Sequence, residues 1–223
     1  MTMIKPQHIL SLLFIVNIFS AQAQTRFRGE IQNFKKQDSI GMPPKDAILF
    51  IGSSSFRLWK GMKQAFPEHQ IINRAFGGST LPEVIHYADD IIFPYQPDQI
   101  VIYCGDNDLA SSDTVTPEIV FERYKELTGL IRSKLPNVNL VYVAIKPSPS
   151  RLKLMPKMKK ANDLIAEYLK KDKNASFIDV YSPMLTKNGT PMGSLFKADS
   201  LHMNESGYAI WQKLINPKLL KNK

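Results

Sequence analysis

The stretch "ILFIGSSSFRLW", residues 48–59, runs four apolar residues into a glycine and three consecutive serines. The apolar residues do not alternate with polar ones, which suits a strand covered on both faces. A glycine followed by hydroxyl residues suits a sharp turn that opens a helix. The stretch therefore reads as the first half of a strand–helix unit, and the fold depends on whether that unit recurs.

It recurs. Short runs rich in Ile and Val stand at 47–51, 70–73, 99–104, 139–144 and 176–180, and each reads as a strand. Helical patterns follow near 55–65, 81–92, 117–134, 156–171 and 205–217. The third is opened by Thr116-Pro117-Glu118, a cap residue and a proline at the first helical position. Strand-then-helix repeated in this way predicts an α/β, doubly wound (flavodoxin-like) three-layer sandwich with a five-stranded parallel sheet and right-handed crossovers. The 223 residues, 43% hydrophobic and 22% charged, suit one such domain.

The N-terminus differs from the rest. "MTMIKPQHILSLLFIVNIFSAQAQ" combines Lys5, an apolar run from Ile9 to Phe19 and the small-residue pattern Ala21-Gln22-Ala23. That layout predicts a secretory signal over residues 1–23, cleaved after Ala23, and an exported chain, periplasmic or extracellular. The apolar run is short for a membrane span and is interrupted by Asn17, so no integral membrane segment is expected after cleavage. Residues 24–45, containing "RFRGEIQNFKKQDS", read as a polar, helical lead-in. Losing the signal lowers the formal net charge of +9 by one. The remaining lysines, dense over 146–173 and in the 219–223 tail, read first as a solvated basic face and second as a surface for anionic lipid or polysaccharide. Nucleic acid is not an expected partner, because no binding module is recognisable, and oligomeric state is left open. The lone Cys104 follows "IVIY" and reads as a buried, inert thiol.

In doubly wound sheets, function collects in the loops at the carboxyl ends of the strands. Here those loops carry Gly52-Ser53-Ser54-Ser55, "NRAFGGST" with Gly77 and Gly78, Gly105-Asp106-Asn107-Asp108, "KPSPSR" at 146–151, and "ADSLHMNESGY" with Asp199 and His202. Singly, each has an ordinary reading as a turn or helix cap. Together they supply the parts of an acyl-transfer site. A serine hydroxyl needs a base, the base needs a carboxylate to orient it, and the tetrahedral intermediate needs donors for its oxyanion.

The four blocks, in this order, resemble those of the SGNH hydrolase superfamily, the GDSL-type esterases and lipases, over roughly residues 46–215. The resemblance implies a hydrolase domain over 46–218 with Ser54 as nucleophile, His202 as base and Asp199 as the orienting acid. It also implies an oxyanion hole from Ser54, Gly78 and Asn107. The family's usual aspartate before the nucleophile is Ser53 here. The form "GSSSFRLW" resembles a subgroup related to acetylhydrolases that act on platelet-activating factor. The implied substrate is a carboxylic ester: an acyl or acetyl ester of a carbohydrate or lipid, a lysophospholipid, or a thioester-like molecule.

Several residues compete for these roles. Ser53 reads as a turn residue and Ser55 as early helix, which favours Ser54. Asp179 lies in the fifth strand run and reads as bonding a neighbouring loop. His8 stands in the signal, His69 beside the second strand, and His86 on a helix surface. Asp106 and Asp108 lack a supporting His or Cys cluster, so no metal and no other cofactor is expected. Arg151 stands at a strand end, where its planar fork could hold an anionic or polyol group of the substrate, or could simply be solvated. Phe56, Leu58 and Trp59 read as packing the first helix onto the sheet. Two other classes remain as alternatives: a non-catalytic glycan- or lipid-binding module, and a nucleotide binder using "GSSS", which lacks the Walker lysine pattern.

Overall fold

The computed structural model describes residues 26–221, so the signal reading over 1–23 lies outside the described residues. Its sheet consists of β1 (Ile48–Gly52), β2 (Ile71–Asn73), β3 (Gln99–Tyr103), β4 (Asn139–Val143) and β5 (Ala175–Ile178). All neighbours pair in parallel, in the order β2-β1-β3-β4-β5. Every residue of β1 and β3 is buried, as their unbroken apolar runs require. The strand order reverses between β1 and β3, and their loops therefore border the crevice where such sheets bind ligands.

The helices are α1 (Arg28–Ile40), α2 (Ser54–Arg57), α3 (Met62–Ala65), α4 (Leu81–His86), α5 (Ala88–Ile91), α6 (Asp106–Ser111), α7 (Pro117–Lys134), α8 (Met155–Leu169) and α9 (Glu205–Ile215). They cover both faces of the sheet. On one, Trp211 of α9 lies 4.8 Å from the Tyr103 ring and packs edge-on against Phe56. On the other, Tyr124 of α7 meets the Tyr142 ring at 4.8 Å, and α7 packs between α4 and α8. The lead-in helix α1 is docked through Ile31, and Phe27 just ahead of it meets Phe76 edge-on at 4.8 Å. Among the described residues no helix is long and apolar enough to cross a membrane.

Local departures from the sequence expectation have identifiable causes. The helix expected over 55–65 is two short helices, α2 and α3. The chain turns between them through Trp59 N–H to Phe56 O and Lys60 N–H to Leu58 O bonds, and Trp59 stacks on Tyr208 at 4.9 Å. The one expected over 81–92 is interrupted at Tyr87. β3 ends at Tyr103 and β5 at Ile178, which leaves Cys104 and Asp179 in loops rather than strands. Helix α6 stands where the turn composition of Gly-Asp-Asn-Asp suggests a loop; acidic residues in a first helical turn also complement the helix dipole.

One backbone junction fixes how the loops meet. Gly52 has φ +120°, and a Cβ there would stand 1.9 Å from the Tyr103 carbonyl oxygen. That close approach lets the Ser53 N–H donate to Tyr103 O at 2.9 Å. The Gly52 carbonyl accepts from Phe76 N–H at 3.0 Å and from the Ser79 hydroxyl at 2.9 Å. The same peptide thus ties the loop after β1 to the loop after β2 and to the end of β3. Gly52→Ala is expected to cost about 3 kcal/mol or more, since it adds both a strained φ and a backbone clash. Urea unfolding measures this; a loss under about 1 kcal/mol would mean that the junction relaxes freely.

Candidate active site

Ser54 opens α2 at the carboxyl end of β1, half-buried, with Ser53 and Ser55 buried on either side. The His202 Nε2 stands 3.0 Å from its hydroxyl, across 148 positions of sequence. His202 Nδ1 lies 2.7 Å from Asp199 Oδ2. An ionised carboxylate only accepts, so Nδ1 carries the proton and Nε2 is left to accept from Ser54. The other Asp199 oxygen accepts from the Leu201 and His202 N–H groups, each at 2.9 Å. These three bonds, the ring N–H first, hold the Asp199 carboxyl well below the usual carboxylate range. It is therefore an anion across the range in which a histidine works as a base. The carboxylate is about half exposed, unlike the other acids near the site.

Asn107 sits in the first turn of α6, half-buried. Its side-chain Nδ2 donates to Ser79 O at 3.0 Å, and its Oδ1 accepts from Arg151 Nη2 at 2.8 Å. One N–H of the amide therefore has no acceptor among the described residues. The same holds for the backbone N–H groups of Ser54 and of Gly78, whose φ of +77° turns the loop after β2. The loop is held from outside by α1, where Glu30 accepts from Gly77 N–H at 3.3 Å and pairs with Arg57.

Beneath these donors lies a buried ionic cluster. The Asp106 Oδ2 stands 3.0 Å from Arg151 Nη1 and 3.9 Å from Lys146 Nζ, and both Asp106 and Lys146 are almost wholly buried. Burial pulls the Lys146 ammonium down to about 8, with the Asp106 charge opposing. Asp108 takes no part in this cluster. It accepts from Leu81 N–H at 3.0 Å and from Arg123 Nη1 at 2.8 Å, and its burial raises its pKa. Cys104 is fully buried, its Sγ 3.6 Å from Ser79 O, and burial pushes the thiol well up, which suits the inert reading.

The competing residues lie elsewhere or are occupied. Asp179 accepts from the Tyr181 and Ser182 N–H groups in the loop after β5. His69 meets Leu220 O at 3.0 Å, and His86 is exposed on α4. Phe56 and Trp59 are buried, while Leu58 is only half-buried. Arg151 bonds Asn107 and stands 3.0 Å from Asp106 with little of its side chain exposed, so it is not a solvated loop residue. The residues that sequence reasoning missed are linkers. Ser79 bridges Gly52 and Asn107. Ser150 N–H donates to the carbonyl of Ser200, which stands between Asp199 and His202. A serine in a polar loop gives no sequence signal of either job, whereas Lys146, at the end of the apolar run "VYVAI", did carry one. A concavity of about 710 Å³ lies by Gln37, Pro43 and His69 and is not lined by Ser54, Asn107, Asp199 or His202.

Residues 47–210 match the model of the GDSL-like lipase/acylhydrolase family. Among solved structures, a protein provisionally described as a platelet activating factor from Streptococcus pneumonia is similar at TM-score 0.77 and 17% identity, covering 93% of this chain and 99% of that one. A GDSL-like lipase from Bacteroides thetaiotaomicron is similar at TM-score 0.70 and 20% identity, covering 84% and 96%. A catalytic mutant of an acetylxylan esterase from Geobacillus stearothermophilus follows at TM-score 0.64 and 14% identity, covering 78% and 94%. At such identities these likenesses speak for the fold. No curated protein matches the chain.

The serines on either side of the turn separate by their bonding. The buried Ser53 hydroxyl has no hydrogen-bond partner among the described residues, whereas Ser79 Oγ is bonded to Gly52 O. Ser53→Ala is expected to change stability by less than about 0.5 kcal/mol, and Ser79→Ala to cost about 1 kcal/mol. Equal losses for the two variants in urea melts would show that Ser53 has a partner of its own.

Proposed function

This chain belongs to the GDSL-like lipase/acylhydrolase family and is a carboxylic ester hydrolase, and from that premise we propose that it is an exported serine esterase working through Ser54, His202 and Asp199. The observation that carries the reading is the continuous chain of hydrogen bonds from Asp199 through His202 to the Ser54 hydroxyl, at 2.7 and 3.0 Å. Ser54 Oγ attacks the ester carbonyl carbon while its proton passes to His202 Nε2. The charge that forms on the imidazole is balanced by Asp199. The carbonyl oxygen, now an oxyanion, is held by the N–H groups of Ser54 and Gly78 and by the uncommitted N–H of Asn107. His202 returns the proton to the departing alcohol, and water, activated by the same histidine, releases the acid from Ser54.

The substrate class we propose is a short acyl ester, acetyl above all, of a carbohydrate or a lipid. The acetylxylan esterase among the structural neighbours supports the carbohydrate side. Export is proposed from the N-terminal residues alone, and N-terminal sequencing of the processed protein should begin at Gln24.

The test is hydrolysis of p-nitrophenyl esters of increasing chain length, with acetylated glycans alongside. Turnover should be highest on acetyl or other short chains. Ser54→Ala should lower kcat on the order of 10⁴–10⁶-fold. Asn107→Ala should lower it about 10²–10³-fold with KM little changed. Full activity of the Ser54→Ala protein would remove the proposed mechanism, and full activity of Asn107→Ala would remove that residue from the oxyanion hole.

A further inference from the structure

We propose that Arg151 is a positioning residue that sets the Asn107 amide in its donating orientation, and that it acts on catalysis through Asn107 rather than by holding substrate. The inference rests on the esterase reading above and names a part of that site which the family match does not assign. A side-chain amide has a donor end and an acceptor end, and rotating it by half a turn exchanges them. At Asn107 both ends are engaged. Its Nδ2 faces the Ser79 carbonyl at 3.0 Å and its Oδ1 faces the Arg151 guanidinium at 2.8 Å. The exchanged amide would put oxygen against the Ser79 carbonyl and NH₂ against a cation, two repulsive contacts in place of two bonds. The orientation that leaves an N–H uncommitted is therefore the one these neighbours enforce. A cation on the acceptor end also polarises the amide, which strengthens the N–H as a donor.

Arg151 is itself fixed. Its second nitrogen stands 3.0 Å from Asp106, the side chain is only 15% exposed, and its backbone N–H donates to Ser148 O at 3.0 Å. Asp106 and Asn107 are adjacent at the start of α6, so the planar guanidinium spans two consecutive side chains. A lysine ammonium has no such fork and cannot reproduce both contacts with the same geometry.

The test is a double-mutant cycle on ester hydrolysis with Arg151→Ala, Asn107→Ala and the double variant, repeated with Arg151→Lys in case the alanine variant folds poorly. Thermal melts establish which variants are folded. Arg151→Ala is expected to lower kcat about 10–10²-fold with KM within about twofold, and Arg151→Lys to lose less. In the Asn107→Ala background, either change at 151 should lower kcat by no more than about twofold, because its target is gone. Multiplicative losses in the double variant would overturn the proposal. So would a raised KM with unchanged kcat, which would make Arg151 a substrate contact. A wild-type chain without Ser54-dependent hydrolysis would sink the esterase reading as well; a Ser54-dependent enzyme with multiplicative losses sinks this inference alone.

Discussion

The peptide between Gly52 and Ser53 is the joint on which the site depends. Its carbonyl accepts from Phe76 and Ser79 in the loop after β2, and its N–H donates to Tyr103 at the end of β3. That geometry exists only because Gly52 has no side chain, a Cβ being excluded by the Tyr103 carbonyl. Ser54 follows directly, so its backbone is placed by bonds to the loop after β2 and to the end of β3 as well as by its own short helix. Ser79 extends the joint, since its hydroxyl holds Gly52 and its carbonyl holds the Asn107 amide. The fourth loop is tied in through Tyr208 of α9, whose hydroxyl donates to Ser55 O at 2.9 Å. Loops from four parts of the chain meet at one point because a buried backbone cannot leave its polar groups unpaired.

The two carboxylates that matter here work in opposite surroundings. Asp199 is half exposed and is kept ionised by three N–H groups, all from Leu201 and His202. Asp106 is buried and is compensated by Arg151 and Lys146. The first arrangement is local in sequence, a four-residue turn that can form as soon as that loop closes. The second joins the ends of β3 and β4 and can form only when the sheet is complete. Ser150 links the two, because the turn that carries Arg151 also donates to Ser200, between Asp199 and His202. Support reaches the site from outside the matched region as well, through Glu30 of α1 at Gly77.

Much of this was legible in the sequence. Five short Ile- and Val-rich runs alternating with helical patterns point to a parallel sheet, and the observed strand order places Ser54 and Asn107 on either side of its switch point. The glycine, serine, asparagine and Asp-x-x-His blocks were legible too, and it was through their resemblance to the family that they singled out Ser54, Asn107, Asp199 and His202. What stayed hidden depended on tertiary contact. Helix α6 carries turn-forming residues whose helical role follows from their place at its first turn. Arg151 looks the same in sequence whether or not it meets Asn107, and only the folded chain shows that contact. The break between α2 and α3 was likewise invisible, since Phe56 and Trp59 fit a helical spacing while Trp59 in fact stacks on Tyr208.

In the proposed mechanism Ser54, and neither serine beside it, is the nucleophile activated by His202. That assignment is tested most directly by covalent trapping with a serine-directed fluorophosphonate, followed by mass mapping of the labelled peptide. One label per chain is expected, on Ser54, formed rapidly in the native protein and at least about 10²-fold more slowly once His202 is replaced by Ala. A label on Ser53 or Ser55, or labelling of Ser54 at the same rate without His202, would contradict the assignment.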